Sequence, residues 1–211
     1  MARQDRAERT RNAILDAAAA VFDERGFNGA SLSDILAKAG VTKGALYFHF
    51  SSKEELARAI VEEQWTVDLP LVNAGNPGLQ LVIDMSHALA HNMVTNVRVR
   101  AANRLTIEAN YAAPNPDVYL RWIEIVHEVL VAAQAKGDLR SEWNADEVAN
   151  WVSAAFMGVQ VQSDVLTGRA DIHERLTTMW RIALPGLVPP RRLPRFVPSG
   201  TAQWDTIAET A

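Results

Sequence analysis

From the N-terminus, apolar residues return at the spacing of a helix. Ile14, Ala18, Val21 and Phe22 share one face, which predicts a first helix from about Ala7 to Arg25. Gly26 follows its last turn as a C-terminal cap would, and Phe27, Asn28 and Gly29 make a turn. Ser31 caps a short second helix, with Asp34 three residues on in place of the Glu of a capping box. Leu32, Ile35 and Leu36 face inward, and Gly40 ends the segment. Thr42 caps a third helix, Lys43 to His49. Ser51 and Ser52 break the pattern, and Ser52 caps a fourth helix opening Lys53-Glu54-Glu55, acidic residues that suit a helix N-terminus.

Beyond residue 70 the segments lengthen. The periodicity predicts helices near 77–94, 98–110, 116–136, 145–167 and 171–184, separated by Gly75-Asn76-Pro77, Pro114-Asn115-Pro116 and Gly137-Asp138. Segment 148–166 is apolar nearly all round (Val148, Trp151, Val152, Ala155, Phe156, Val159), as in a helix buried in a core or a subunit interface. From Pro185 on, prolines 185, 189, 190, 194 and 198 forbid helix, so an extended tail is expected, packed in part along the body. There is no strand pattern and no internal repeat. The fold expected is all-α, with three domains: a helix-turn-helix unit over 1–53, a larger helical domain over 54–184 and a proline-rich tail over 185–211.

Composition narrows the chemistry. Of 211 residues, 48% are apolar, enough for a core, and none is cysteine, which removes disulfides, thiolate metal sites and thiol nucleophiles. A reducing cytoplasm is the simplest home. Neither a secretion leader nor a run of about 20 apolar residues is read, so no membrane partner is expected. The net charge of −4 looks unsuited to nucleic acid until it is divided. Residues 1–53 hold 8 Lys/Arg against 6 Asp/Glu, and the remainder hold 13 against 19. A basic N-terminal segment on an acidic body has the sign expected of a DNA binder.

Residues 31–50, SLSDILAKAGVTKGALYFHF, join two short helices through a turn carrying Gly40, with Ile35, Leu36, Val41 and Leu46 inward. That is the pattern of a helix-turn-helix, whose second helix enters the major groove. Thr42 stands where backbone N–H groups attract phosphate. Lys43 is long enough to reach a base edge or a phosphate, Tyr47 and His49 carry polar tips suited to phosphates, and Lys53 would flank the same strand. A glycine inside a short helix costs about 1 kcal/mol relative to alanine. Gly44 therefore needs a reason, either close approach to DNA or close helix packing.

The stretch AILDAAAAVFDERGFNGASLSDILAKAGVTKGALYFHFSSKEEL, and GALYFHFSSKEEL at 44–56 above all, resembles the DNA-binding domain of the tetracycline-repressor (TetR) family. The resemblance implies Tyr47 and His49 near phosphates, Lys43 and Ala45 near bases, and Lys53 at the backbone, beside the Thr42 and Gly44 read from the residues themselves. It implies a homodimer on a palindromic operator, joined through the helices at 145–167 and 171–184. The segments HNMVTNVRVRAANRLTIEAN, YLRWIEIVHEVLVAAQAKGDL and AAFMGVQVQSDVLTGRADIHERLTTMWRIALPGLVPP resemble γ-butyrolactone receptors, repressors that answer small lactone hormones. In these a tryptophan of the ligand domain helps form the pocket, and Trp122 stands in its place. Gln64 and Gln160 are further ligand candidates. Read from the residues alone, Trp122 is better taken as ordinary core, and Gln160, with Gln162 on the same apolar helix, could pair with backbone at an interface. The function implied is a repressor released by a lactone, butenolide or furan and controlling secondary metabolism. A TetR-type repressor answering an antibiotic or a metal is the alternative.

An enzyme is the first rival. Asp84, His87 and His91 fall at i, i+3 and i+7 on one helix face and could hold a metal, but a polar face or pocket wall explains them better. No HExxH, glycine-rich phosphate loop or GxSxG elbow is present. Neither a catalytic residue nor a cofactor is expected. A helical interaction protein, the second rival, leaves the Lys43, Tyr47 and His49 grouping unexplained.

Overall fold

The computed structural model describes residues 2–63, 78–108 and 116–201. The described residues form helices α1 (Ala2–Gly29), α2 (Leu32–Ala39), α3 (Lys43–His49), α4 (Lys53–Glu63), α5 (Leu79–Thr95), α6 (Val97–Glu108), α7 (Asp117–Ala135), α8 (Ala145–Thr167) and α9 (Ile172–Leu187), plus a 3₁₀ turn at Leu193–Arg195, and no strand. None of these helices is long and apolar enough to cross a membrane. The chain divides into two compact units, Met1–Asp68 with Thr95–Pro116, and Leu69–Val94 with Asp117–Ala211. The boundary expected at 53/54 follows the end of the helix-turn-helix motif. By packing, α4 and α6 stay with the first unit.

In that unit α1 begins earlier than expected, at Ala2, and buries Ile14, Leu15, Ala18, Val21 and Phe22. Its regular course breaks at Gly26, with φ 69° and ψ 179°. Only glycine suits this position. The backbone is left-handed, and a Cβ would lie 2.5 Å from the Glu108 carboxylate, which accepts the Phe27 N–H at 3.0 Å. The released chain turns so that Phe27 stacks on Phe22, ring centroids 5.9 Å apart.

Side-chain caps set the next helices. Ser31 Oγ accepts the Asp34 N–H at 3.1 Å and Asp34 accepts the Ser31 N–H at 3.3 Å, a complete capping box with Asp in the Glu role. The Ser31 hydroxyl, together with the Arg25 guanidinium 3.0 Å away, holds the Asp34 carboxyl below its usual range. Gly40 ends α2 in the left-handed region, φ 62°. Ser52 Oγ accepts the Glu55 N–H at 3.2 Å at the start of α4. α4 buries Leu56, Ala57, Ile60 and Val61, and α6 buries Val99, Ala102 and Leu105; both pack on α1.

In the second unit α5 contributes Leu79, Val82, Ile83 and Met85 to one core with Val126, Val129 and Leu130 of α7, Val148 and Val152 of α8, and Trp180 and Leu184 of α9. Trp180 is fully buried because its indole N–H has a partner, Ser86 Oγ at 2.9 Å, whose own hydroxyl donates to Ile83 O at 2.6 Å. The helix end expected before Pro185 is corrected: α9 runs on to Leu187 with Pro185 inside. A proline there removes only the bond to the carbonyl four residues back, and the Val188 N–H still reaches Leu184 O at 2.9 Å. Arg140 then fastens this end through the carbonyls of Val188 and Pro185. The tail holds the 3₁₀ turn and then lies on α5. Gln80 exchanges two hydrogen bonds with Val197, Asp84 accepts the N–H and hydroxyl of Thr201, both at 2.8 Å, and His87 Nε2 donates to Pro198 O at 3.0 Å.

Candidate DNA-reading face and effector site

The helix-turn-helix places its polar residues outward on α3. Thr42 Oγ1 accepts the Ala45 N–H at 3.2 Å, capping the helix. Leu46 and Phe50 anchor it inward, four residues apart. Thr42, Lys43, Gly44 and Tyr47 are exposed, and Ala45 and His49 half-buried. Lys43 Nζ lies 5.7 Å from the Tyr47 ring centroid. Nothing lies within 4 Å of where a Gly44 Cβ would stand, so close packing within the unit does not explain this glycine.

Two features were not anticipated. Phe48 is 79% exposed, halfway between the inward Leu46 and Phe50, with the His49 ring edge-on to it at 5.0 Å. Its position in the period marked it as outward; its apolar character argued the other way. Lys53 turns in rather than out. Its ammonium donates to Phe27 O at 2.8 Å and Ala30 O at 2.9 Å and lies 4.2 Å from the Phe27 ring. It ties the α1–α2 turn to the start of α4.

In the second unit Trp122 stands on α7, half-buried against the core, its ring 6.3 Å from that of Phe156 on α8. Its Nε1 is buried with no hydrogen-bond partner, and so is Ser153 Oγ on α8. Such groups in a native interior ask for an explanation. Ser153, Met157 and Gln160 follow at i, i+4 and i+7 on the face of α8 that carries Phe156. Gln160 is buried, with Nε2 3.0 Å from Met157 Sδ. Trp122 and Gln160 thus come to facing helices, and Ser153 joins them, a residue the sequence did not single out. Gln64 lies outside the described residues.

The opposite face of α8 carries Trp151, Ala154, Gly158, Val161 and Val165 at alternating spacings of three and four. Trp151 and Val165 are 46% and 79% exposed. Gly158 has open space around it, and Ile182 of α9 is also exposed. Asp171 accepts from Ser163, Thr167 and Arg175 and fastens α8 to α9; the Ser163 hydroxyl foremost holds its carboxyl below the usual range.

Asp84 and His87 are both committed to the tail, and His87 Nδ1 meets His173 Nδ1 at 3.0 Å. Because His87 Nε2 must donate to a carbonyl, its Nδ1 accepts and His173 donates. Among the described residues no group of three His, Asp or Glu could hold a metal.

The family description "Bacterial regulatory proteins, tetR family" matches residues 14–60, and "Tetracyclin repressor-like, C-terminal domain" matches residues 77–189. The chain belongs to the TetR family. It is 38% identical, over 95% of its length and 71% of the relative's, to the A-factor receptor protein of Streptomyces griseus. Among solved structures it resembles a gamma-butyrolactone receptor (ArpA-like protein), at 33% identity and TM-score 0.78, covering 98% of this chain and 100% of that one. It also resembles CprB of Streptomyces coelicolor in complex with its operator, at 36% identity and TM-score 0.77, covering 90% and 94%. TetR-family membership makes this chain a transcriptional repressor rather than an enzyme; regulators of this family bind operator DNA, take small-molecule effectors and form dimers.

Proposed function

We propose that this repressor is released from a palindromic operator by a small, neutral, lactone-type effector, a γ-butyrolactone, butenolide or furan, and that it governs secondary metabolism in the cytoplasm. The observation that carries the effector reading is the pair of buried, unpartnered groups, Trp122 Nε1 and Ser153 Oγ, on facing helices with apolar neighbours. Both offer a proton, so an uncharged ligand rich in acceptor oxygens on an oily frame complements them. The A-factor and gamma-butyrolactone receptors among its relatives support the same chemistry. Gln160 and Gln64 remain candidate contacts.

On the DNA, Lys43 and Ala45 address bases, and Thr42, Tyr47, His49 and the spare N–H of Lys53 address phosphates. Gly44 lets the backbone approach. The exposed stripe of α8 with Ile182 of α9 is the dimer face. It would put two recognition helices in successive major grooves, roughly 34 Å apart. An effector that prefers a different spacing of these helices by about 3 kcal/mol lowers operator affinity about 150-fold.

The test is a gel shift on the DNA upstream of this protein's own gene, at stated salt, with and without a panel of γ-butyrolactones, butenolides and furans. A specific shift abolished by one of them is the expected result. A specific shift indifferent to the whole panel would refute the lactone reading and leave the repressor.

A further inference from the structure

The chain crosses between the two units after Asp68, after Val94 and after Pro116. Within the first unit, Glu63 and Arg98 form one ion-pair node. Glu63, the last residue of α4, stands just before the first crossing; Arg98, in the first turn of α6, stands just after the second. Arg98 Nη1 donates to Glu63 Oε2 at 3.0 Å. The rest of the guanidinium holds α1, through Asp16 Oδ1 at 2.6 Å and the Asn12 carbonyl at 3.1 Å. The other Glu63 oxygen accepts from Arg11 Nη1 at 2.7 Å. The Arg11 guanidinium in turn lies 5.4 Å from the ring centroid of Phe50. Phe50 is the buried C-cap of α3, its N–H bonded to Leu46 O at 2.9 Å.

An unbroken set of contacts therefore runs from Arg98 through Glu63 and Arg11 to the end of the recognition helix. It begins close to α5. Asn96 is the only residue between α5 and α6, and its Oδ1 accepts the N–H groups of Arg98 at 2.9 Å and Val99 at 3.4 Å. A displacement of the end of α5 reaches Arg98 within one helical turn. The guanidinium is planar and holds its partners at fixed angles, so it transmits such a shift or breaks a bond. The Arg98 and Glu63 side chains are only 26% and 27% exposed, so their attraction is less screened than that of a surface pair. Other arginines of α6 also grip α1, Arg100 through Asp23 at 2.8 Å and Arg104 through the Asp23 carbonyl, but these bonds reach neither α4 nor α3.

We propose that Arg98, Glu63 and Arg11 are the positioning residues that couple the end of α5 to the recognition helix. Because linkage is reciprocal, operator binding at α3 must be felt at α5 through the same residues, and no effector is needed to observe it. The experiment is amide hydrogen exchange on the full-length dimer, alone and with an operator selected from random DNA. It compares the wild type with Arg98→Met, Glu63→Gln and the control Arg100→Ala. Operator should slow exchange over 43–50 in every binding-competent protein. In the wild type and Arg100→Ala it should also alter exchange over 89–99, and this distal change should vanish in Arg98→Met and Glu63→Gln. Glu63→Gln keeps size and shape, so it stands as the test where Arg98→Met folds poorly. A distal change that persists in the node variants, or is missing from the wild type, overturns the proposal. So does Arg100→Ala behaving like the node variants in stability, operator binding or exchange.

Discussion

Replacing Gly44 by alanine should move stability and DNA affinity in opposite directions. An added Cβ at this position meets nothing within 4 Å, and Gly44 lies in the first turn of α3, capped by Thr42. The substitution therefore gives the folded protein helix propensity without a clash, about 0.5–1 kcal/mol. For a chain of this size that amounts to a rise of about 1–4 °C in Tm. On DNA the same methyl group would enter the gap through which the backbone approaches the groove wall. A displacement that breaks one or two phosphate hydrogen bonds, which are charge-assisted at about 1.5–3 kcal/mol each, weakens operator binding at least tenfold. Differential scanning calorimetry and fluorescence anisotropy on labelled operator, at one salt concentration, measure the two quantities. A more stable protein that binds its operator as well as the wild type would refute the close-approach argument. A less stable one would refute the open environment described for α3.

Lys53→Met should lower thermal stability by about 1–3 kcal/mol, because the ammonium holds the carbonyls of Phe27 and Ala30. Unchanged stability with weakened DNA binding would return Lys53 to a purely phosphate-contacting role. Trp122→Phe keeps an aromatic side chain but removes the N–H together with the fused pyrrole ring, so operator affinity should hold while the effector concentration for release rises about 2- to 10-fold in a gel-shift titration; an unchanged titration removes Trp122 from the site. Ser153→Ala deletes an unpartnered buried hydroxyl and should stabilise the free protein by about 1 kcal/mol while weakening the effector; destabilisation in urea titration would mean that the hydroxyl already has a partner. Burial, opposed by the Pro198 carbonyl and the Asp84 charge, holds the His87 imidazole below its usual 6.5. The unfolded chain then takes up this proton first, so the His87 contribution is full above pH 6.5 and declines as pH falls from there toward the lowered folded value. Urea melts at pH 7.5 and 5.5 should show a smaller acid loss in His87→Gln than in the wild type, and equal losses would contradict the assignment.

How much of the candidate site was legible follows from which signals are local. Ser31 with Asp34, Gly40, and Thr42 ahead of Lys43 act within three or four residues of themselves, and each appears in the structure in the role its spacing implied. Phe48 was missed because its apolar character competed with its outward position. The inward bonds of Lys53 were not legible because its partners, Phe27 and Ala30, are 26 and 23 residues away and are backbone carbonyls, which leave no mark in a side-chain pattern. Ser153 could not be found from sequence, since what distinguishes it is a hydrogen bond it lacks.

Periodicity and capping residues alone determined an all-helical chain with a helix-turn-helix at its start, because helices and their ends are stabilised by neighbours in sequence. The same logic failed at Pro185, where a proline in the last turn costs a single hydrogen bond and distant Arg140 secures the end of α9. Only the tertiary structure decided that α6 belongs with the DNA-binding unit. Its three arginines choose partners on α1 and α4 that lie 35 to 86 residues away. It likewise decided that Asp84 and His87 receive the tail, and that Glu63 pairs with both Arg11 and Arg98. Pairings over such separations depend on which surfaces meet after folding, and a linear pattern of apolar and charged positions carries no record of that.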